Sequence, residues 1–196
     1  MRLRAGAAIA VLLLAGACGG SESPTDEPSS AESPAASEPA AEALVVAPGA
    51  VGPVKVGMTV DEANATGLFE PFKEIDDDPC AEFNPPIQWK APHTESLRVR
   101  VEDDKITSLG IRDEVKTAKG IGVGSTFGDL KAAYPDAEVE ASQALGSTVY
   151  RQDGEKWLGF ALDEDSDKVE DSSKVLYMEV TVGKKPAAYL SGCGPT

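Results

Sequence analysis

One pattern occurs twice in this chain and limits what the rest of it can fold into. Val54-Lys55-Val56-Gly57-Met58-Thr59-Val60-Asp61-Glu62-Ala63-Asn64-Ala65-Thr66-Gly67 aligns without gaps on Ile121-Gly122-Val123-Gly124-Ser125-Thr126-Phe127-Gly128-Asp129-Leu130-Lys131-Ala132-Ala133-Tyr134. Val56/Val123, Gly57/Gly124, Thr59/Thr126 and Ala65/Ala132 are identical, and Val54/Ile121 and Glu62/Asp129 agree in character. In both copies an apolar segment reaches a glycine, passes one residue and meets a threonine, with an acid three positions later. That spacing predicts a helix start: Thr59 and Thr126 cap it with their hydroxyls, and Glu62 and Asp129 at the third position reach back to the cap. Carboxylates there also suit the positive end of the helix dipole. The predicted helices run from Val60 to about Thr66, stopped by Gly67, and from Phe127 to about Tyr134, stopped by Pro135.

Strand periodicity follows each predicted helix. Leu97, Val99 and Val101 alternate with Arg98 and Arg100, the mark of a half-buried strand, and Glu102-Asp103-Asp104-Lys105 turns it into Ile106 to Ile111. Ile87-Gln88-Trp89-Lys90 reads as a further strand. In the second half, Thr148 to Arg151 and Trp157 to Leu162 form a hairpin around an Asp153-Gly154 turn, and Val175 to Val182 is the last strand. Val45 to Val56, broken by Pro48, Gly49, Gly52 and Pro53, reads as an irregular approach. The expectation is an α+β fold of two related units, 44–119 and 120–196, each a helix against an antiparallel sheet.

The first 43 residues belong to neither unit. Met1 to Arg4 is basic, and Ala5 to Leu14 is apolar but shorter than the roughly 20 residues a spanning helix requires, so residues 1–17 read as an export signal. Ser21 to Ala43 holds Ser, Pro, Ala, Thr and acids with no aromatic or branched aliphatic side chain, so 18–43 is expected to be a disordered tether. Its four prolines stiffen it toward an extended form.

Thirty-three acids face 18 bases, and losing Arg2 and Arg4 with the signal moves the formal charge from −15 to −17. A surface of that sign repels nucleic acid and anionic headgroups, so nucleic acid is excluded as a partner. Cys80 and Cys193 are the cysteines left after Cys18. In an exported chain they are expected to pair, a bridge worth about 4 to 5 kcal/mol at most on the chain-entropy model.

Leu14-Ala15-Gly16-Ala17-Cys18 resembles the lipobox of bacterial lipoproteins. The resemblance implies a lipid on Cys18 and an extracytoplasmic location at the cell membrane, held through that anchor alone. The overall layout is similar to that of many actinobacterial lipoproteins. The two Gly-x-Thr segments resemble the tandem modules of the β-lactamase inhibitory proteins and the small SmpA/OmlA envelope lipoproteins, although Ser125 stands where the first copy has Met58. That resemblance implies a non-enzymatic domain that contacts other proteins.

Chemistry is sparse elsewhere. The glycines from Gly120 to Gly124 lack the lysine of a phosphate loop and the spacing of a dinucleotide fingerprint, and Asp129 would repel an anion. Gly-x-Ser-x-Gly is absent, and His93, the single histidine, has no nucleophile near it in sequence. Asp163, Asp165 and Asp167 alternate as in a calcium loop, but Lys168 and Lys174 occupy the positions that call for Gly and Glu. The sequence therefore predicts no enzyme and no cofactor, and a lipid-anchored module that binds a protein or envelope component. A small molecule or calcium held by the acidic loops at Asp76 to Asp78 and Asp163 to Asp171 is the alternative.

Overall fold

The computed structural model describes residues 44–74, 84–112, 114–141 and 146–187. Chain contacts cluster into two units, Met1–Ala40 and Ala41–Thr196, and every described residue belongs to the second.

Strands dominate this unit, which overturns the α+β expectation. Twelve strands and two helices are described, in three sheets. The helices, α1 (Val60–Ala65) and α2 (Phe127–Ala133), are six and seven residues long. Each makes barely two turns before its stop signal, while the chain that follows keeps a period of two, so the protein is a mostly β structure with two short helical caps.

Both helix starts are built as the repeat predicts. Thr59 accepts from the Glu62 N–H and Thr126 from the Asp129 N–H, and each acid accepts in return from the cap N–H. The surroundings match as well. The Gly57 N–H donates to the Ile106 carbonyl at 2.8 Å and the Gly124 N–H to the Val175 carbonyl at 2.8 Å. Ile106 and Val175 donate back to Met58 and Ser125. Thr59 bridges Lys105 as Thr126 bridges Lys174. Gly57 and Gly124 have φ of 96° and 83°, a region closed to most side chains, which is why the glycine recurs.

The principal sheet has six strands: β6 (Leu97–Glu102), β7 (Lys105–Ile111), β9 (Glu138–Ala141), β10 (Ser147–Asp153), β11 (Lys156–Leu162) and β12 (Val175–Val182). Their order is β6-β7-β12-β11-β10-β9, antiparallel throughout. The closing strands of the two halves, β7 and β12, are thus neighbours within it, Met178 opposite Ile111 and Val180 opposite Leu109. The acidic strand β9 escapes sequence reading because only Val139 in it is a strong strand former. Asp103 and Asp104 turn the first hairpin with φ of 48° and 61°, as a tight primed turn requires.

Two smaller sheets complete the unit. β4 (Phe69–Pro71) pairs with β5 (Ile87–Trp89). β1 (Val45–Ala47), β2 (Ala50–Val51), β3 (Val54–Lys55) and β8 (Lys116–Thr117) form the other, in the order β3-β2-β1-β8, with β1 and β8 parallel. The predicted irregular approach is therefore a meander, its turns made at Gly49 and Gly52 with φ of 73° and 55°. Strands of two or three residues are too short to show an alternation.

Register puts one apolar row across all six strands: Leu97, Ile111, Met178, Phe160, Val149 and Val139. All but Val139 are buried, and they share a core with Val46, Val51, Val54, Ala63, Phe127 and Leu130 from the meander and the helices. Each fully buried large side chain there contributes roughly 1.5–3 kcal/mol against exposure.

Candidate functional site

The opposite face of the six-stranded sheet carries different chemistry. One row runs Arg98, Gly110, Glu179, Gly159, Tyr150 and Glu138, the next Arg100, Ser108, Thr181, Trp157 and Gln152, and a third Tyr177, Ala161, Thr148 and Glu140. Arg98, Arg100, Tyr150 and Trp157 are half-buried, while Tyr177 and Glu179 are buried at 6% and 8% exposure.

Two glycines in the first row make room for rings. A Cβ at Gly110 would stand 2.0 Å from the Tyr177 hydroxyl, so the tyrosine lies across bare backbone. A Cβ at Gly159 would stand 3.1 Å from Pro186. That proline belongs to a strap that follows β12: Gly183, at φ 78°, turns the chain, and the Tyr150 hydroxyl donates to the Pro186 carbonyl at 3.3 Å. Lys185 stands 4.9 Å from the Tyr150 ring and 5.5 Å from the Trp157 ring, and pairs with Glu140. The strap thus lies over Gly159 and against the edges of Tyr150 and Trp157, which stay half-exposed.

The other end is basic. Arg112 follows β7 and extends its pairing by donating its N–H to the Ser96 carbonyl at 2.7 Å, which gives it the alternation of Ser108 and Gly110. Arg98 donates from one nitrogen to the Thr94 carbonyl at 2.6 Å and to the Leu97 carbonyl at 3.1 Å, which fixes its guanidinium. Burial, then the neighbouring charge of Arg112, hold Arg98 below the usual arginine range, against the opposing pull of Glu95 and Tyr177. Burial pushes the Tyr177 phenol well up and Glu179 adds to it, while Arg112, Arg100 and Arg98 pull it back. Arg98, Arg100 and Arg112 share the end of the face that carries Tyr177.

Sequence alternation assigned Arg98 and Arg100 to one face but missed Arg112, Tyr177 and Glu179 as their company. A usable signal existed: of the six arginines in this acidic chain, two precede Cys18 and three of the other four are these.

Several predicted residues lie elsewhere or outside the described residues. Cys18, Cys80, Cys193 and Asp76 to Asp78 fall outside them. Thr59, Glu62, Thr126 and Asp129 are caps on two separate helices. Asp163 accepts from the Lys174 N–H at 2.8 Å, Asp165 pairs with Lys168 at 2.7 Å, and Asp163, Asp165 and Asp167 are exposed. Among the described residues no group of three or more metal-ligating side chains converges, and no helix is long and apolar enough to cross a membrane. His93 is half-buried with its ring edge-on to Trp89, centroids 6.5 Å apart. Trp89 is core and Trp157 sheet face.

Compared with known proteins, the chain matches no family model, no curated protein and no solved structure.

Proposed function

We propose that the chain is a non-enzymatic binding module, held outside the cell by a lipid on Cys18, that contacts a protein or envelope component through the second face of its six-stranded sheet. The observation that carries this reading is the half-exposed set of Arg98, Arg100, Tyr150 and Trp157 on that face. Arginine, tyrosine and tryptophan are the side chains that concentrate binding energy at protein interfaces, because each offers large contact area with a polar tip. The lipobox-like segment ending at Cys18 and the proline-bearing tether support a membrane-proximal setting with reach.

Two experiments test the two parts. Incorporation of labelled palmitate should occur in the wild type and vanish in Cys18→Ala; a wild-type chain free of lipid removes the anchor. Crosslinking on intact cells should recover a partner through residues of this face. Recovery of nothing above background, or of adducts confined to the helix side, removes the interface.

A further inference from the structure

We propose that the crevice under the strap, formed by Tyr150, Trp157, Gly159 and Glu140, docks an extended lysine-proline or arginine-proline segment of a partner protein, and that Lys185 and Pro186 fill it as an internal ligand which the partner displaces. This rests on the binding-module reading above and names the partner's chemistry at one place on the same face.

The strap shows what the crevice recognises. Pro186 is the one buried side chain between Gly183 and Ala187. Its ring lies on the bare backbone of Gly159, where a Cβ would stand 3.1 Å from one proline carbon and 3.2 Å from the next, and the Thr148 methyl walls the seat 3.3 Å from the same point. The Tyr150 hydroxyl donates to the carbonyl of that proline at 3.3 Å. Aromatic grooves suit polyproline segments for this reason: such segments have no internal hydrogen bonds and leave their carbonyls free.

A cation is read beside the proline. The Lys185 ammonium stands 4.9 Å from the Tyr150 ring and 5.5 Å from the Trp157 ring, and pairs with Glu140. Two rings and a carboxylate around one ammonium favour a cation over a neutral side chain. The chain carries a formal charge of −15, so its long-range field draws a basic segment and repels an acidic one.

The internal ligand is lightly held. Gly183 turns the chain at φ 78°, and nothing packs within 4 Å of where its side chain would be. Lys184, Lys185 and Ala187 are exposed, and among the described residues the strap rests on the Pro186 ring, the Tyr150 and Thr181 hydroxyls and one exposed ion pair. A segment held in this way belongs to the low-stability end of a structure. The exposed halves of Tyr150 and Trp157 offer a partner contact area that the strap leaves untouched. The fixed φ of proline also lowers the ordering cost of an incoming segment.

The test uses the full chain in detergent, a fluorescein-labelled Ala-Lys-Lys-Pro-Ala-Ala peptide and two twins, one with glycine for proline and one with glutamine for both lysines. Fluorescence anisotropy should show saturable binding, about tenfold or more tighter in the strap variant Lys185→Ala/Pro186→Gly than in the wild type, and about tenfold or more weaker for each twin. Equal binding of either twin overturns the proposal, and that comparison is made on the wild type at higher peptide concentration if the strap variant fails to fold. Absence of binding to every folded form overturns it, as does binding no tighter in a strap variant whose urea midpoint is unchanged. These comparisons use purified protein, so they hold or fail independently of whether cells yield a partner. A cellular partner whose crosslinking the peptide does not compete away overturns the lysine-proline assignment and leaves the binding-module reading intact.

Discussion

The hydroxyl of Tyr177 occupies the space beside Gly110 where a side chain would begin, 2.0 Å from the position of a Cβ. Gly110 is on β7 and Tyr177 on β12, neighbouring strands of the sheet, so a ring from one half of the chain roofs bare backbone from the other. This contact fixes the floor of the arginine end of the face. Gly110→Ala should force the ring aside and destabilise the protein by about 1–3 kcal/mol, an overpacking cost. In a Tyr177→Ala background most of that cost should disappear. Urea denaturation of the four proteins closes the double-mutant cycle, and additive effects would mean the two residues are not coupled.

Ionisation of Tyr177 should set the alkaline limit of stability. Its folded pKa is raised, by burial first and Glu179 second, so its stabilising contribution is complete below the unfolded value of about 10 and is lost as pH rises through the folded value. Stability should therefore fall above about pH 10, and Tyr177→Phe should flatten that fall. Tyrosinate absorbance followed alongside unfolding reads both, and a fall unchanged in the variant would exclude Tyr177 as its source.

The two helix caps should be matched in strength. Thr59→Ala and Thr126→Ala each remove a hydroxyl that accepts a backbone N–H, at about 1 kcal/mol per cap, and the two caps share no hydrogen-bond partner, so the losses should add. Chemical denaturation of both single variants and the double variant measures this. A loss confined to one cap would show that the two starts are not equivalent.

Acid should weaken the second cap. Hydrogen bonds from the Thr126 side chain, then its backbone, hold the Asp129 carboxyl below its usual value. Its contribution is present above the unfolded value near 4 and is lost as pH falls through the folded one. Asp129→Asn should reduce the pH dependence of stability in that acid range and leave the alkaline side alone. Denaturation midpoints across the acid range decide it, and an unchanged slope would assign the acid sensitivity to other carboxylates.

The strap should be separable from the arginines. Lys185→Ala removes the ammonium beside Tyr150 and Trp157, an exposed contact worth about 0.5–1 kcal/mol. Tryptophan emission should shift to the red as Trp157 gains water, since Trp89 is only 1% exposed and stays silent. An unchanged spectrum would mean that the strap is held without Lys185, by Pro186 against Gly159 and by the Tyr150 hydroxyl on the Pro186 carbonyl.

Local signals determined the helix starts, the Asp-rich and Asp-Gly hairpins and the strand alternation, because each depends on residues within a few positions of one another. Thr59 with Glu62, and Thr126 with Asp129, carry their partners inside the same turn. The fold class escaped such reading: two capped starts suggested two units of one short helix against a sheet, but helix length is set by where Gly67 and Pro135 stop the chain and by how much core the strands claim. The candidate site was less legible still. Arg98 and Arg112 meet through the local β6–β7 hairpin, but Tyr177 joins them only because β7 and β12, separated by much of the chain, pair in one sheet. Pairing between distant strands is chosen by the burial of a shared apolar row, Leu97 through Phe160 and beyond, and that energy exists only once the whole sheet is assembled.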